Sequence, residues 1–371
     1  MTNSAYQNEQ KKREFLEYLK GAQGFSESSL NTFAEAIGQW QLFTENDDFA
    51  NFDKSKALAF RDWLKSRKAH TEIGTISIVT QYNYLRRIKR FFEWLSGQPV
   101  YKSKLIKDEI QFLRLSKGDA RIARQGTTKQ MPTFEEAKTI IEAIDVKNEI
   151  DLRDRALISF ALITGMRISA IASLRMKNFD AEKKLVDQNP ADGVKTKNSK
   201  KILTTFFPIG WDAPERHFLE WYEYLKSKGF RADDPVFPAT MNTFATEQSA
   251  YSKEVVGSTF WRGTAGARKI FEKRCRNANL PYFHPHSFRH LVVNILSKTR
   301  LTEEEKRAIS LNLGHANVGT TFGSYGYGSM SEEDAVKIVQ KLTTSQKTDG
   351  AGASTLSSEE KAVLERLIGR S

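Results

Sequence analysis

The segment running from Tyr84 to Leu95 constrains this chain more than any other. Tyr84, Leu85, Ile88, Phe91, Phe92 and Leu95 recur at three- and four-residue steps, the period of one helix face. The opposite side carries Arg86, Arg87, Lys89 and Arg90, and Gly97 and Pro99 stop the helix. So wide an apolar stripe must be covered, and three earlier segments offer matching faces. The first presents Phe15, Leu16 and Leu19. The second presents Leu30, Phe33, Ile37, Trp40 and Phe43, with Ser28 or Ser29 available as its cap. The third presents Ala57, Phe60, Trp63 and Leu64. Four amphipathic helices predict a bundle to about residue 113.

The pattern then changes. Ser116 to Met131 has two glycines and almost no large apolar residues, and Lys117, Arg121, Arg124 and Lys129 stand against one acid, Asp119. It reads as an extended basic linker. Thr133, followed by Glu135 and Glu136, reads as the cap of a helix through Ile144. A helix from about Arg153 ends at Gly165, and another covers roughly Ser169 to Arg175. Short strands are expected at Lys184–Val186, Gly193–Lys195 and Lys201–Pro208, with Phe206-Phe207 the most β-prone pair. Helices dominate from Pro214, around a loop-rich interval from Asp233 to Gly257. A polar stretch from Thr348 to Ser358 precedes a short amphipathic helix, Glu359 to Ile368.

Charge bounds the class of partner. The 371 residues hold 57 Lys+Arg against 45 Asp+Glu, a net +12 that favours a polyanion, nucleic acid before anionic membrane. Apolar runs such as Ala156–Ile163 fall far short of the roughly 18–20 residues of a spanning helix. The first nine residues carry no apolar signal core. One cysteine, Cys275, allows no internal disulfide. The expectation is a cytoplasmic, nucleoid-associated protein without a membrane partner.

The densest chemistry lies in Phe283-His284-Pro285-His286-Ser287-Phe288-Arg289-His290. His284, His286, His290 and Cys275 could be weighed as zinc ligands, but their spacing fits no usual finger and no cysteine pair accompanies them. A phosphate site fits better. His286 and Arg289, three apart on a helix starting near Ser287, set an imidazole beside a bidentate guanidinium. By itself the pair could equally be a helix-start histidine and a surface arginine. Two further runs accompany it: Thr164-Gly165-Met166-Arg167 upstream, and Leu313-Gly314-His315 with Thr320-Thr321 and Tyr325 downstream.

With these runs the sequence resembles the tyrosine recombinases, or phage-type integrases. Their pattern is an Arg after a T-G-x turn, a Lys on a β-hairpin, HxxRH, LGH, a TT pair and a nucleophilic Tyr. The likeness is detailed over about Thr133 to Ser345 and only architectural before that. It implies a mainly α protein: a helical-bundle core-binding domain over 1–115, a basic linker over 116–132, an α-rich catalytic domain with a small antiparallel β-sheet over 133–345, and a tail over 346–371. It implies Arg167, Lys195, His286, Arg289, His315 and Tyr325 as catalytic residues. Tyr325 would attack a phosphodiester to give a 3′-phosphotyrosyl link. Lys195 would protonate the leaving 5′ oxygen, and Arg167, Arg289 and His315 would hold the phosphate while His286 assists proton transfer.

The residue chemistry is consistent with this. A phenol with a pKa near ~10 needs a base or a cationic field to attack at neutral pH. Two assignments stay open: Lys197 fits a shorter form of the lysine motif, and Tyr327 stands two residues beyond Tyr325. Where the family often has an acid, three residues after the first Arg, this chain has Ala170. No metal and no cofactor is implied. The partners implied are double-stranded DNA bearing specific recombination sites and a homotetramer on two such sites, with the tail after Val339 a candidate for exchange between subunits. Arg86, Arg87, Lys89, Arg90, Arg121 and Arg124 are expected to contact DNA phosphates. A type IB topoisomerase-like enzyme, a DNA-binding accessory protein that has lost catalysis, and a zinc nuclease are the competing readings.

Overall fold

The structure is a computed structural model that describes residues 3–68, 74–125, 130–244, 251–323 and Val336. The chain divides into two units, Met1–Thr128 and Lys129–Ser371.

Four long helices build the first unit: α1 (Asn3–Gly21), α2 (Glu27–Phe43), α3 (Lys54–Ser66) and α4 (Ile78–Leu95). Ser26, Asp53 and Ser77 cap the last three, each accepting an N–H from the first turn, where no carbonyl is in reach. The cap of α2 is therefore Ser26, not Ser28 or Ser29, which fall inside the helix. The anticipated stripe of α4 is buried throughout and meets an aromatic core. Phe91 lies edge-on to Phe15 at 5.3 Å and to Phe49 at 4.9 Å, and Trp40 is edge-on to both Phe60 and Phe92 at 5.0 Å. Fully buried Asn8 ties α1 to the segment after α2, donating to Asp47 O (2.8 Å) and accepting from Phe49 N–H (3.2 Å).

Two shorter helices complete this unit, α5 (Lys107–Ile110) and α6 (Lys117–Gln125). The second corrects the expectation of an extended segment from Ser116. It packs against α4 through buried Ala123 and half-buried Ala120, a face too small to register as an apolar stripe.

The second unit begins with α7 (Phe134–Glu142), opened by the full capping box: Thr133 Oγ1 accepts from Glu136 N–H (3.1 Å) and Glu136 Oε2 from Thr133 N–H (2.7 Å). The central helix, α8 (Glu149–Thr164), starts earlier than expected, capped by Asn148, and is buried on nearly every side. After it come α9 (Ile168–Ile171), the antiparallel sheet β1 (Phe179–Asp180), β2 (Leu185–Gln188) and β3 (Ile202–Thr205), and α10 (Ala213–Ser227). Val186 pairs with both Phe179 and Thr204. Gly193–Lys195 is not a strand but part of the loop joining β2 to β3. Phe206 and Phe207 follow β3 and fill the core instead of pairing.

The expected loop-rich interval holds a hairpin, β4 (Thr240–Phe244) and β5 (Tyr251–Val256). Then come α11 (Ala265–Asn277), α12 (Pro285–Ser297), α13 (Glu303–Asn312) and α14 (Val318–Thr321). Buried polar groups on α8 fasten the hairpin. Arg153 donates to Pro238 O (3.2 Å) and Thr240 Oγ1 (3.0 Å), while Glu149 accepts the Val256 N–H (2.8 Å). Asp154, 1% exposed, takes Arg153 on one oxygen (2.8 Å) and Arg274 of α11 on the other (2.7 Å), and Arg274 also reaches Asp151 at 2.6 Å.

The architecture is thus mainly α with small antiparallel sheets. Among the described residues no helix is long and apolar enough to cross a membrane. The expected segments Thr348–Ser358 and Glu359–Ile368 lie outside the described residues.

Candidate active site and nucleic-acid groove

Four chain reversals bring the site residues together. At the first, α8 ends on Gly165, whose φ of +58° is left-handed, and a Cβ there would lie 2.8 Å from Leu313. Two residues on, Arg167 stands half-buried at the N-cap of α9. At the second, His284 caps α12, accepting the His286 N–H (3.1 Å), so that His286 and Arg289 project from its first turns. At the third, α13 ends and Gly314, at φ +74°, turns the chain so close to Ile202 that no side chain fits. His315 follows, 5% exposed. The fourth is the β2–β3 loop with its lysines.

Arg289 is 1% exposed and sits at the centre. It donates to Gly165 O (2.8 Å), to Leu313 O (2.6 Å) and to His315 Nε2 (2.7 Å). A guanidinium can only donate, so Nε2 is the accepting nitrogen. The proton is then on Nδ1, which donates to Thr321 Oγ1 at 2.8 Å. Burial, followed by the charges of Arg289, Arg167, Lys197 and Lys200, pushes the His315 pKa down to about 4. Burial, with His290, Arg289 and Arg167, takes His286 to about 3, and its ring lies perpendicular to His290 at 5.1 Å. Both imidazoles are therefore neutral at pH 7, and His315 already commits its one accepting nitrogen to Arg289.

The arrangement gathers Arg167, His286, Arg289 and His315, since one field acts on both imidazoles. Of the lysines, Lys197 and Lys200 contribute to the field at His315. The Lys195 backbone is stitched to α9 and the turn after it: Ser169 Oγ donates to Lys195 O (3.2 Å) and Lys195 N–H to Ser173 Oγ (2.8 Å). Ala170 is buried, and these two serines bind the lysine loop beside it. Tyr325 and Tyr327 lie outside the described residues. Cys275 is buried on α11, and among the described residues no group of three or more His, Cys, Asp or Glu is arranged to hold a metal ion.

With that geometry in view, the comparison with known families is decisive. The model of the phage integrase family matches residues 130–331, more than half of the chain. The chain belongs to this family. It is a tyrosine-type, site-specific DNA recombinase. A tyrosine recombinase XerC of Lactobacillus delbrueckii subsp. bulgaricus is 22% identical over 313 residues, covering 83% of this chain and 91% of the relative. Among solved structures, a XerH site-specific recombinase bound to palindromic difH substrate superposes with a TM-score of 0.57 at 18% identity, over 87% of this chain and 83% of that one. A lambda integrase tetramer bound to a Holliday junction gives 0.58 at 10%, over 86% and 78%. These likenesses are of fold.

The recombinase's first unit carries a second candidate surface. Arg61 of α3, Arg86 and Lys89 of α4, Arg114, and Lys117 and Arg124 of α6 line a groove of about 600 Å³ floored by Tyr82, Leu85 and Phe112. Arg124 lies over the Tyr82 ring at 6.0 Å, and its hydrogen bond lowers the pKa of that phenol. Arg61 Nε is buried there without a hydrogen-bond partner among the described residues. The groove takes in Arg86, Lys89 and Arg124 from the six expected contacts but leaves out the others. Arg90 stacks on Phe25 (4.9 Å) and Phe33 (5.7 Å) and bonds Gln23. Arg87 sits beside the hydrogen-bonded Tyr84–Glu35 pair, and Arg121 is exposed on α6 away from the lining. The sequence reading missed Arg61 and Arg114, and had Lys117 only among the cations of the linker. Arg61 was legible, since it shares a face with Leu58 at three-residue spacing.

Proposed function

We propose that this recombinase cleaves and rejoins DNA at specific sites through a 3′-phosphotyrosine intermediate, exchanging strands between two sites held in a homotetramer. The carrying observation is the Arg289 cluster, a buried guanidinium oriented by two carbonyls and a neutral imidazole with Arg167 close by. Those three partners orient the charge without neutralising it, which suits binding of a phosphate whose charge grows in the transition state. Tyr325 Oη attacks the phosphorus, and its proton passes to neutral His286. The bond from phosphorus to the 5′ oxygen breaks, and a lysine protonates that oxygen. The energy of the broken bond is kept in the phosphotyrosyl ester, so rejoining needs no nucleotide.

Lys197 is our choice for that acid in place of Lys195, because its charge, with that of Lys200, acts on His315. The cationic groove of the first unit supplies phosphate contacts, and the tail after Val339 supplies the subunit exchange. The similar structures of a XerH recombinase on its difH substrate and of a lambda integrase tetramer on a Holliday junction support the partner and the assembly.

The test uses a nicked suicide substrate. Tyr325→Phe should retain DNA binding and form no covalent adduct. Adducts that persist in Tyr325→Phe and vanish in Tyr327→Phe would move the nucleophile by two residues. A 5′-bridging phosphorothiolate, which needs no acid, should rescue Lys197→Ala and leave Arg167→Ala defective. Rescue of Lys195→Ala alone would return the acid to Lys195.

A further inference from the structure

The β2–β3 loop and the segment leading into α11 enclose a cavity of about 160 Å³ that the chemistry above does not use. Its working walls are Ser169, Ser173, Arg175, Lys195, Phe260 and Trp261. The two serine hydroxyls are committed to holding the loop, so they shape the cavity and do not read its contents. One cation remains available. Lys195 Nζ makes no ion pair or hydrogen bond among the described residues. Arg175 spends Nε on Asp192 O (2.6 Å) and one amino group on Asp233 O (2.8 Å), and its guanidinium covers Phe260 at 5.1 Å. Its other amino group faces Gly193, where a Cβ would stand 3.4 Å away.

Half-buried aromatic rings beside an unpaired ammonium are the elements that hold single-stranded nucleic acid. A base stacks on a ring, its phosphate meets the cation, and no hydrogen-bond code is needed. The space admits one planar ring system and not a base pair, so the nucleotide must first leave the helical stack. Position gives the rest. Ser169 is two residues from Arg167 and Lys195 two from Lys197, so the cavity lies beside the residues that would hold the reacting phosphate.

We propose that this cavity captures one unstacked nucleotide of the DNA next to the cleavage point, with its base against Phe260 and Trp261 and its phosphate on Lys195. The proposal rests on the strand-exchange reading, and its test measures binding alone. The full chain is titrated with three short duplexes: one fully paired, one with a single extra unpaired adenosine, and one with an abasic residue in its place. The adenosine bulge should bind about tenfold more tightly than the abasic bulge, the scale of one base–aromatic stack.

Phe260→Leu keeps an apolar wall but removes the ring, so it should erase that difference and leave affinity for the paired duplex unchanged. Lys195→Gln should weaken both bulged duplexes alike. Equal affinity for the two bulges, or a difference that survives Phe260→Leu, overturns the cavity while duplex binding keeps the proposed function standing. Failure of the full chain to bind any duplex sinks both.

Discussion

The two units use arginine in opposite ways. In the first, guanidinium groups gather at the rim of a groove, over an aromatic core that would pack without them. In the second, they are structural members. Arg153, Arg274 and Arg289 are each 5% exposed or less, and each bridges elements far apart in sequence. A rim cation contributes affinity in an additive, salt-sensitive way. A buried one contributes position, and its loss strands whatever it was bonded to.

The sharpest way to break this comparison is Asp154→Ala. It leaves two buried guanidiniums without their shared carboxylate, so the chain should lose about 3–5 kcal/mol in urea denaturation. A loss below about 1 kcal/mol would show that these arginines are no more structural than those of the rim. Arg289→Lys comes next. A lysine keeps the charge but cannot serve Gly165 O, Leu313 O and His315 together, so cleavage should slow on the order of 10²–10³-fold with DNA affinity nearly intact. Single-turnover cleavage and an equilibrium titration separate the two quantities.

Acid should probe the same unit. His315 falls from an ordinary 6.5 to about 4 on folding, so below pH 6.5 the unfolded chain takes up a proton that the native one refuses. Stability is then complete above pH 6.5 and declines as pH falls towards 4, by on the order of 3 kcal/mol for this group. Denaturation midpoints of His315→Gln should show a shallower decline over that window, and an unchanged slope would remove His315 as its source.

The smallest effect sharpens the picture within the first unit. Arg86→Ala should lower the log–log salt slope of DNA binding by about 0.9, one phosphate contact. Arg90→Ala should leave the slope alone and cost about 0.5–1 kcal/mol of stability through its lost aromatic stacking. Equal slope changes would restore the whole basic face of α4 as the contact.

The same contrast explains what could be read from the chain beforehand. The stripe of α4, the capping box at Thr133 and the glycine stop at residue 165 are local patterns, and each is found where the sequence put it. The helix α6 escaped notice because alanines make its packed face. The β4–β5 hairpin escaped because its ends are fixed by Glu149 and Arg153, about a hundred residues upstream. Arg153, read only as the start of a helix, is 3% exposed. In the site, motif order pointed to Arg167, His286, Arg289 and His315. Which nitrogen of His315 carries the proton, and which lysine faces it, depend on contacts made only after folding.

Gly165 has a consequence for anyone who would alter this enzyme's affinity for DNA. One peptide group ends α8, launches Arg167 and offers its carbonyl to Arg289, all against Leu313 with no room for a methyl. A mutant library that spares positions 165 and 314 and diversifies the groove rim should keep most clones foldable, because the variable positions and the fixed ones belong to separate units. Tuning DNA affinity by selection thus has a natural partition of the gene: one stretch to randomise, another to leave untouched.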